Sequence, residues 1–176
     1  MPSINFEHHP QFFTSTILDW NHLLKDDAYK QIIIESLLFL KKEGSVVVNA
    51  FVIMPNHIHL IWQIQDGYKP DKIQFRFQKY TAQQMKFKLI DTNNNMLNDF
   101  FVDASDRQYQ LWKRNPLSID LWTKEVFIQK LNYIHNNPIN DPVGSRTTRF
   151  LREKISIREI VPFSYEALHS HSEHSL

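Results

Sequence analysis

FVIMPNHIHLIWQI, Phe51 to Ile64, is an apolar, β-favouring run interrupted by a Pro-Asn pair and two histidines. Side chains along a strand alternate between faces, so His57 and His59 share one face while Ile58, Leu60 and Trp62 share the other. The second set is suited to a core, and the first is free for chemistry. Pro55 and Asn56 are turn formers. Ser45 to Met54 and His57 to Gln65 are therefore expected to pair as a hairpin, with the histidines near the start of the returning strand.

Working outward, Gln11 to Asp19, centred on FFTSTIL, reads as a strand, and Ala28 to Lys42 as a helix that stops at Gly44. After the hairpin, Lys69, Lys72, Arg76, Lys79, Lys86 and Lys88 are balanced only by Asp71 and Asp91 up to Asn93. On a helix, Lys72, Arg76, Lys79 and Lys86 form one stripe with Gln83 in its gap, and Ile73, Phe77, Tyr80 and Phe87 form an apolar stripe beside it. The cationic stripe is either a nucleic-acid contact or a solvated face. Gln108 to Lys113 is a candidate fourth strand. Thr123 to Asn137 reads as a helix with Thr123 as N-cap, Val126, Phe127, Leu131 and Ile134 as its apolar side, and Pro138 as its stop. A few strands separated by helices, with an antiparallel hairpin, predict an α+β sandwich of helices on one sheet.

Composition limits what such a chain does. Its 176 residues, 42% hydrophobic and 13% aromatic, suit one compact domain with a core of its own. With no cysteine, disulfides and thiolate metal sites are excluded, so any metal is held by nitrogen and oxygen. No apolar run approaches a membrane span and no secretory leader is recognisable, so a soluble, cytoplasmic protein is the expectation. The net charge of +1 says little about nucleic acid, because the basic residues are clustered rather than spread.

Two imidazoles at i and i+2 on a strand are spaced to share one divalent cation. The same pattern also serves some hydrolases, and such histidines also hydrogen-bond at sheet edges. The second notable stretch is KLNYIHNNPI, Lys130 to Ile139, where Tyr133 and Asn137 are neighbours on one helical face beside the core-facing Leu131 and Ile134. Alone, that pair reads as a half-buried aromatic and a polar helix end.

Taken together, MPNHIHL at Met54 to Leu60 and YIHNNP at Tyr133 to Pro138 resemble the HUH single-tyrosine transposases, in particular the REP-associated tyrosine transposases and their small insertion-sequence relatives. The resemblance spans roughly Phe12 to Asn140, including QLWKRNP at Gln110 to Pro116 in the place of a tryptophan-containing segment. It implies a ferredoxin-like or RRM-like antiparallel sheet with helices packed on it. It further implies that His57 and His59 bind a divalent metal, Mg2+ or Mn2+, that Asn137 occupies the third ligand position, and that Tyr133 is the nucleophile. The implied substrate is single-stranded DNA beside a short hairpin, cut to leave a 5′-phosphotyrosine; the implied assembly leaves room for a homodimer. Asn137 stands where some relatives have glutamine. Residues 1–140 would form the catalytic domain. The stretch INDPVGSRTTRFLREKISIREIVPFSYEAL departs from the family pattern, so 141–176 reads as an atypical extension, partly disordered, with Arg146, Arg149, Arg152, Lys154 and Arg158 as basic residues and His169, His171 and His174 at its end.

The chemistry suits the residue types. A phenol, with a pKa of about 10, is far more acidic than a sugar hydroxyl. A phosphotyrosine therefore keeps a good leaving group, and a released 3′-OH can reverse the cut. Charge that follows the backbone and rings that stack on unpaired bases suit single-stranded DNA. Lys72, Arg76, Lys79, Tyr80, Lys86, Trp112, Lys113 and Arg114 are the candidates, with Trp112 equally suited to the core. Two other readings stand beside this one: a metal-dependent hydrolase using the HxH pair, and a catalytically inactive or domesticated single-stranded nucleic-acid-binding module of the same fold.

Overall fold

The computed structural model describes residues 8–137. The expected extension over 141–176, with its basic residues and terminal histidines, lies outside the described residues. Six strands and three α-helices follow in the order β1 (Gln11–Thr16), α1 (Asp27–Lys42), β2 (Val46–Ile53), β3 (His57–Ile64), α2 (Pro70–Asp91), β4 (Phe101–Ala104), β5 (Arg107–Tyr109), β6 (Leu117–Asp120) and α3 (Lys124–Asn136). The main sheet has the order β2-β3-β1-β6, and every pairing in it is antiparallel. With α1 between β1 and β2 and α2 between β3 and β6, this is the ferredoxin-like arrangement that was expected.

Local chemistry sets the boundaries. Asp26 caps α1 by accepting from the Ala28 N–H at 2.8 Å, and Gly44, at φ +80°, ends it in the left-handed region that favours glycine. Pro55 and Asn56 close the β2–β3 hairpin, where the Met54 N–H donates to the His57 carbonyl. The first strand is shorter than its sequence suggests: Asp19 and Trp20 take left-handed φ values of 52° and 59°, so the chain turns away after Ile17. The fourth sheet strand also differs from expectation. Within Gln108 to Lys113, the first residues belong to a small hairpin of β4 and β5, and Trp112 makes only an isolated bridge to Ile17. The fourth place in the sheet goes to Leu117–Asp120, whose polar edge residues gave little β signal.

The two faces of the sheet carry separate cores. Ile58, Leu60, Trp62 and Ile64 of β3 join Phe13 and the buried sides of α1 and α2 on one face. Phe12, Val52 and Ile61 join Phe127 and Ile134 of α3 on the other. Strand alternation therefore assigns His57 and His59 to the α3 side. The buried stripe of α2 is Ile73, Phe77, Thr81, Met85 and Leu89, and not the expected set, because Tyr80 and Phe87 are about half exposed. Each four-residue step moves the stripe slightly round the helix, and the sheet follows that drift. Thr81 is tolerated in the core because its hydroxyl donates to the Phe77 carbonyl and accepts from Trp112 Nε1 at 2.9 Å.

Thr123 Oγ1 caps α3 by accepting from the Val126 N–H at 3.3 Å. Thr123→Ala is expected to cost about 1 kcal/mol of stability, read as a lower urea midpoint at unchanged slope. A null result would show that packing alone positions this helix.

Candidate active site

The site is built where β1, β3 and α3 meet. In the register of the sheet His59 lies opposite Thr14, and His57 opposite Thr16. His59 is 7% exposed, and its Nδ1 lies 2.8 Å from Thr14 Oγ1. His57 Nδ1 lies 2.7 Å from Asn56 Oδ1, an acceptor, so this nitrogen carries the proton and Nε2 keeps its lone pair. The two rings are 4.7 Å apart between centroids. From the other side α3 brings Tyr133, whose hydroxyl lies 3.4 Å from His59 Nε2. Tyr133 remains 48% exposed, so its phenol is open to a large substrate. One chain thus brings its own tyrosine to its own histidines.

Burial holds the pKa of His57 below its ordinary value. Burial, then the neighbouring His57 and Lys130 charges, push His59 down to about 3. Both imidazoles are therefore neutral at physiological pH, as a metal ligand must be. Stability follows with a definite sign. Below pH 6.5 the unfolded chain protonates these rings while the native state resists, so stability falls as pH drops from 6.5 towards 3 and is unaffected by them above that window. Thermal unfolding in a chelator is expected to show a shallower acid decline for His59→Gln than for the wild type. Parallel curves would show that His59 protonates freely in the fold.

The donor set fits a divalent cation. Each histidine has its Nδ1 hydrogen-bonded, which orients the ring and turns Nε2 towards the site, the usual arrangement around ligating imidazoles; at His59 the Tyr133 hydroxyl meets that nitrogen. Asn137 caps α3 one turn beyond Tyr133, its backbone N–H donating to the Tyr133 carbonyl, and its side-chain Nδ2 is buried without a partner among the described residues. That atom is a donor, so a cation would have to meet the Oδ1 of the same amide. No cluster of three His, Cys, Asp or Glu occurs among the described residues.

The DNA-contact candidates are not brought together. Lys72, Lys79, Tyr80 and Lys86 lie on α2, across the sheet from the histidines. The Lys79 ammonium rests over the Phe75 ring, and that of Lys86 over Phe87 and Tyr109. Arg76 forms an ion pair with Glu43 at the end of α1, which ties two helices together. Trp112 is 5% exposed and bonded to Thr81, so it belongs to the core and presents no face to a base. Lys113 and Arg114 are exposed; the Lys113 N–H donates to the Thr16 carbonyl, opposite His57, and Arg114 is 3.9 Å from Asp106.

Several site residues escaped the sequence reading. Thr14 has no signal without the register. Asn56 was legible only as a turn residue. Trp20 lies 6.3 Å from His57 between ring centroids because its left-handed backbone carries it there, and Lys130 comes close through the packing of α3 on β1.

No protein-family model matches the sequence, and no curated protein does. Solved structures do. A REP-associated tyrosine transposase bound to a REP hairpin superposes with a TM-score of 0.53 at 16% identity, covering 79% of this chain and 72% of its own. A protein from Deinococcus radiodurans R1, identified provisionally as a transposase, superposes with a TM-score of 0.51 at 14% identity, covering 77% of this chain and 94% of its own. No helix among the described residues is long and apolar enough to cross a membrane. At these identities the likeness is one of fold: the chain shares the architecture of these two solved structures.

Proposed function

We propose that this chain is a DNA transposase that cuts and rejoins single-stranded DNA beside a hairpin, with Tyr133 as nucleophile. The observation that carries the reading is the meeting of the Tyr133 hydroxyl and His59 Nε2 at 3.4 Å, on the sheet face that also holds His57. That one solved protein of this fold holds a REP hairpin supports the choice of ligand.

His57 and His59, with Asn137 as third donor, would hold Mg2+ or Mn2+, which supplies positive charge for the non-bridging phosphate oxygens and eases ionisation of the phenol. The residues of the chain do the rest. Thr14 and Asn56 fix the two rings, and the rigid strand fixes their spacing. In the resting site the Tyr133 hydroxyl lies 3.4 Å from His59 Nε2. In the reaction the tyrosine oxygen bonds to phosphorus while the bond from phosphorus to the 3′ oxygen breaks; the phenol proton leaves to solvent and a solvent proton ends on the 3′ oxygen. One phosphate ester replaces another, so the step is reversible by the released 3′-OH. Lys113, whose backbone is bonded to Thr16, and the exposed Arg114 beside it would hold the neighbouring DNA backbone. Lys72, Lys79, Tyr80 and Lys86 would serve DNA that passes round the β6 edge to the far face.

The test is covalent capture. Wild-type protein incubated with end-labelled hairpin oligonucleotides and Mg2+ or Mn2+, then denatured on a gel, should yield a labelled protein–DNA band. A cut without such a band would point to attack by water and to a hydrolase, and binding without cutting to an inactive module.

A further inference from the structure

Lys130 lies almost one helical turn before Tyr133 on α3. Its Nζ is 4.7 Å from the centroid of the Phe12 ring and 5.8 Å from that of Tyr133. Phe12 in turn stacks on His59, centroids 5.3 Å apart. Ammonium, phenol and imidazole therefore gather around one aromatic ring. Lys30, Arg76, Arg107 and Arg114 each face a carboxylate, whereas no carboxylate among the described residues pairs with Lys130. Aromatic faces offset part of its lost hydration, but they leave its N–H donors without a strong acceptor.

The surface beside it is open. α3 packs on β2 and β3 and covers Phe12 of β1, while on the same face the β6 edge keeps exposed side chains. Leu117, opposite Thr14, is 52% exposed, and Ile119, opposite Phe12, is 39% exposed. A strand of nucleic acid lying along this half of the face meets Tyr133 and Lys130 from the same side.

We propose that Lys130 is a catalytic residue that binds the scissile phosphate, its ammonium holding a non-bridging oxygen of the phosphodiester that Tyr133 attacks. The inference rests on the nucleophile assigned above. As the tyrosine oxygen bonds to phosphorus and the 3′ oxygen departs, negative charge is spread over the phosphoryl oxygens, and a fixed cation stabilises it without reorganising. Lys130 and Tyr133 share one helix, so their spacing is set before DNA arrives.

The test first maps the cleaved linkage by covalent capture, then replaces that linkage alone with a neutral methylphosphonate. Binding is measured in the Tyr133→Phe background, where nothing is cut. The neutral linkage should weaken binding by roughly tenfold when Lys130 is present, and by little or nothing in Lys130→Met, which keeps an apolar stem over Phe12. In the protein with Tyr133 intact, Lys130→Met should slow adduct formation by about a hundredfold, and Lys130→Arg should recover part of the rate. Equal losses on the neutral linkage with and without Lys130, or adduct formation at the wild-type rate in Lys130→Met, would overturn the proposal. Failure of the wild type to form any adduct is a separate result: it removes the nucleophile assignment, and this inference with it.

Discussion

Tyr133→Phe is expected to abolish the covalent protein–DNA product, to below detection, while the protein still folds and binds hairpin DNA. The substitution removes one oxygen and keeps the ring that packs edge-on against Phe12 and His59. The hydrogen bond it deletes is long, 3.4 Å, and half-exposed, so stability should change by well under about 1 kcal/mol. Cation affinity should stay the same or rise slightly, by about twofold, because the phenol hydroxyl no longer competes for His59 Nε2. Adduct yield, melting temperature and cation titration, compared with wild type, separate these effects. Wild-type adduct from this variant would mean that another group attacks phosphorus, whatever the histidines hold.

His59→Ala should also remove the adduct, by the loss of a ligand. This residue touches Thr14, Phe12, His57 and Tyr133 at once, so its removal also opens a buried gap between β3 and α3. His57→Ala should weaken cation binding comparably at a smaller cost in stability, because His57 is less buried. Thr14→Val, nearly the same shape, leaves both imidazoles in place but takes away the hydroxyl that meets His59 Nδ1. Loss of such an outer partner usually lowers metal affinity by about 10- to 100-fold. Isothermal titration with Mn2+ should therefore rank the variants wild type, Thr14→Val, then the two alanine variants, with excess Mn2+ restoring adduct to Thr14→Val most fully. Wild-type affinity in both alanine variants would dismiss the histidines as the cation site.

These expectations depend on different levels of the molecule. Alternation alone determined that Ile58, Leu60 and Trp62 enter a core while His57 and His59 face away from it, because the two-residue period of a strand is a local property of the backbone. The hairpin at Pro55–Asn56, the stop at Gly44 and the Thr123 cap were legible for the same reason: each depends on the conformational or hydrogen-bonding preference of one or two residues. The ferredoxin-like sheet and the pairing of Tyr133 with the histidine strand were legible through two short motifs, whose resemblance to a family carries three-dimensional information that periodicity lacks.

Only the tertiary structure decided which groups surround those motifs. Leu117–Asp120, and not Gln108 to Lys113, became the fourth sheet strand, since strand pairing is a competition among distant segments. Thr81 entered the core while Tyr80 and Phe87 did not, because the drift of a buried stripe along a long helix is set by what it packs on. Arg76 went to Glu43 and Trp112 to Thr81, partners 33 and 31 residues away in the chain. The cations of α2 were placed across the sheet from the histidines, and Lys130 against Phe12, by the choice of face on which each helix docks. That choice follows from the burial of whole apolar surfaces, a property of all the elements together, and no single stretch of sequence contains it.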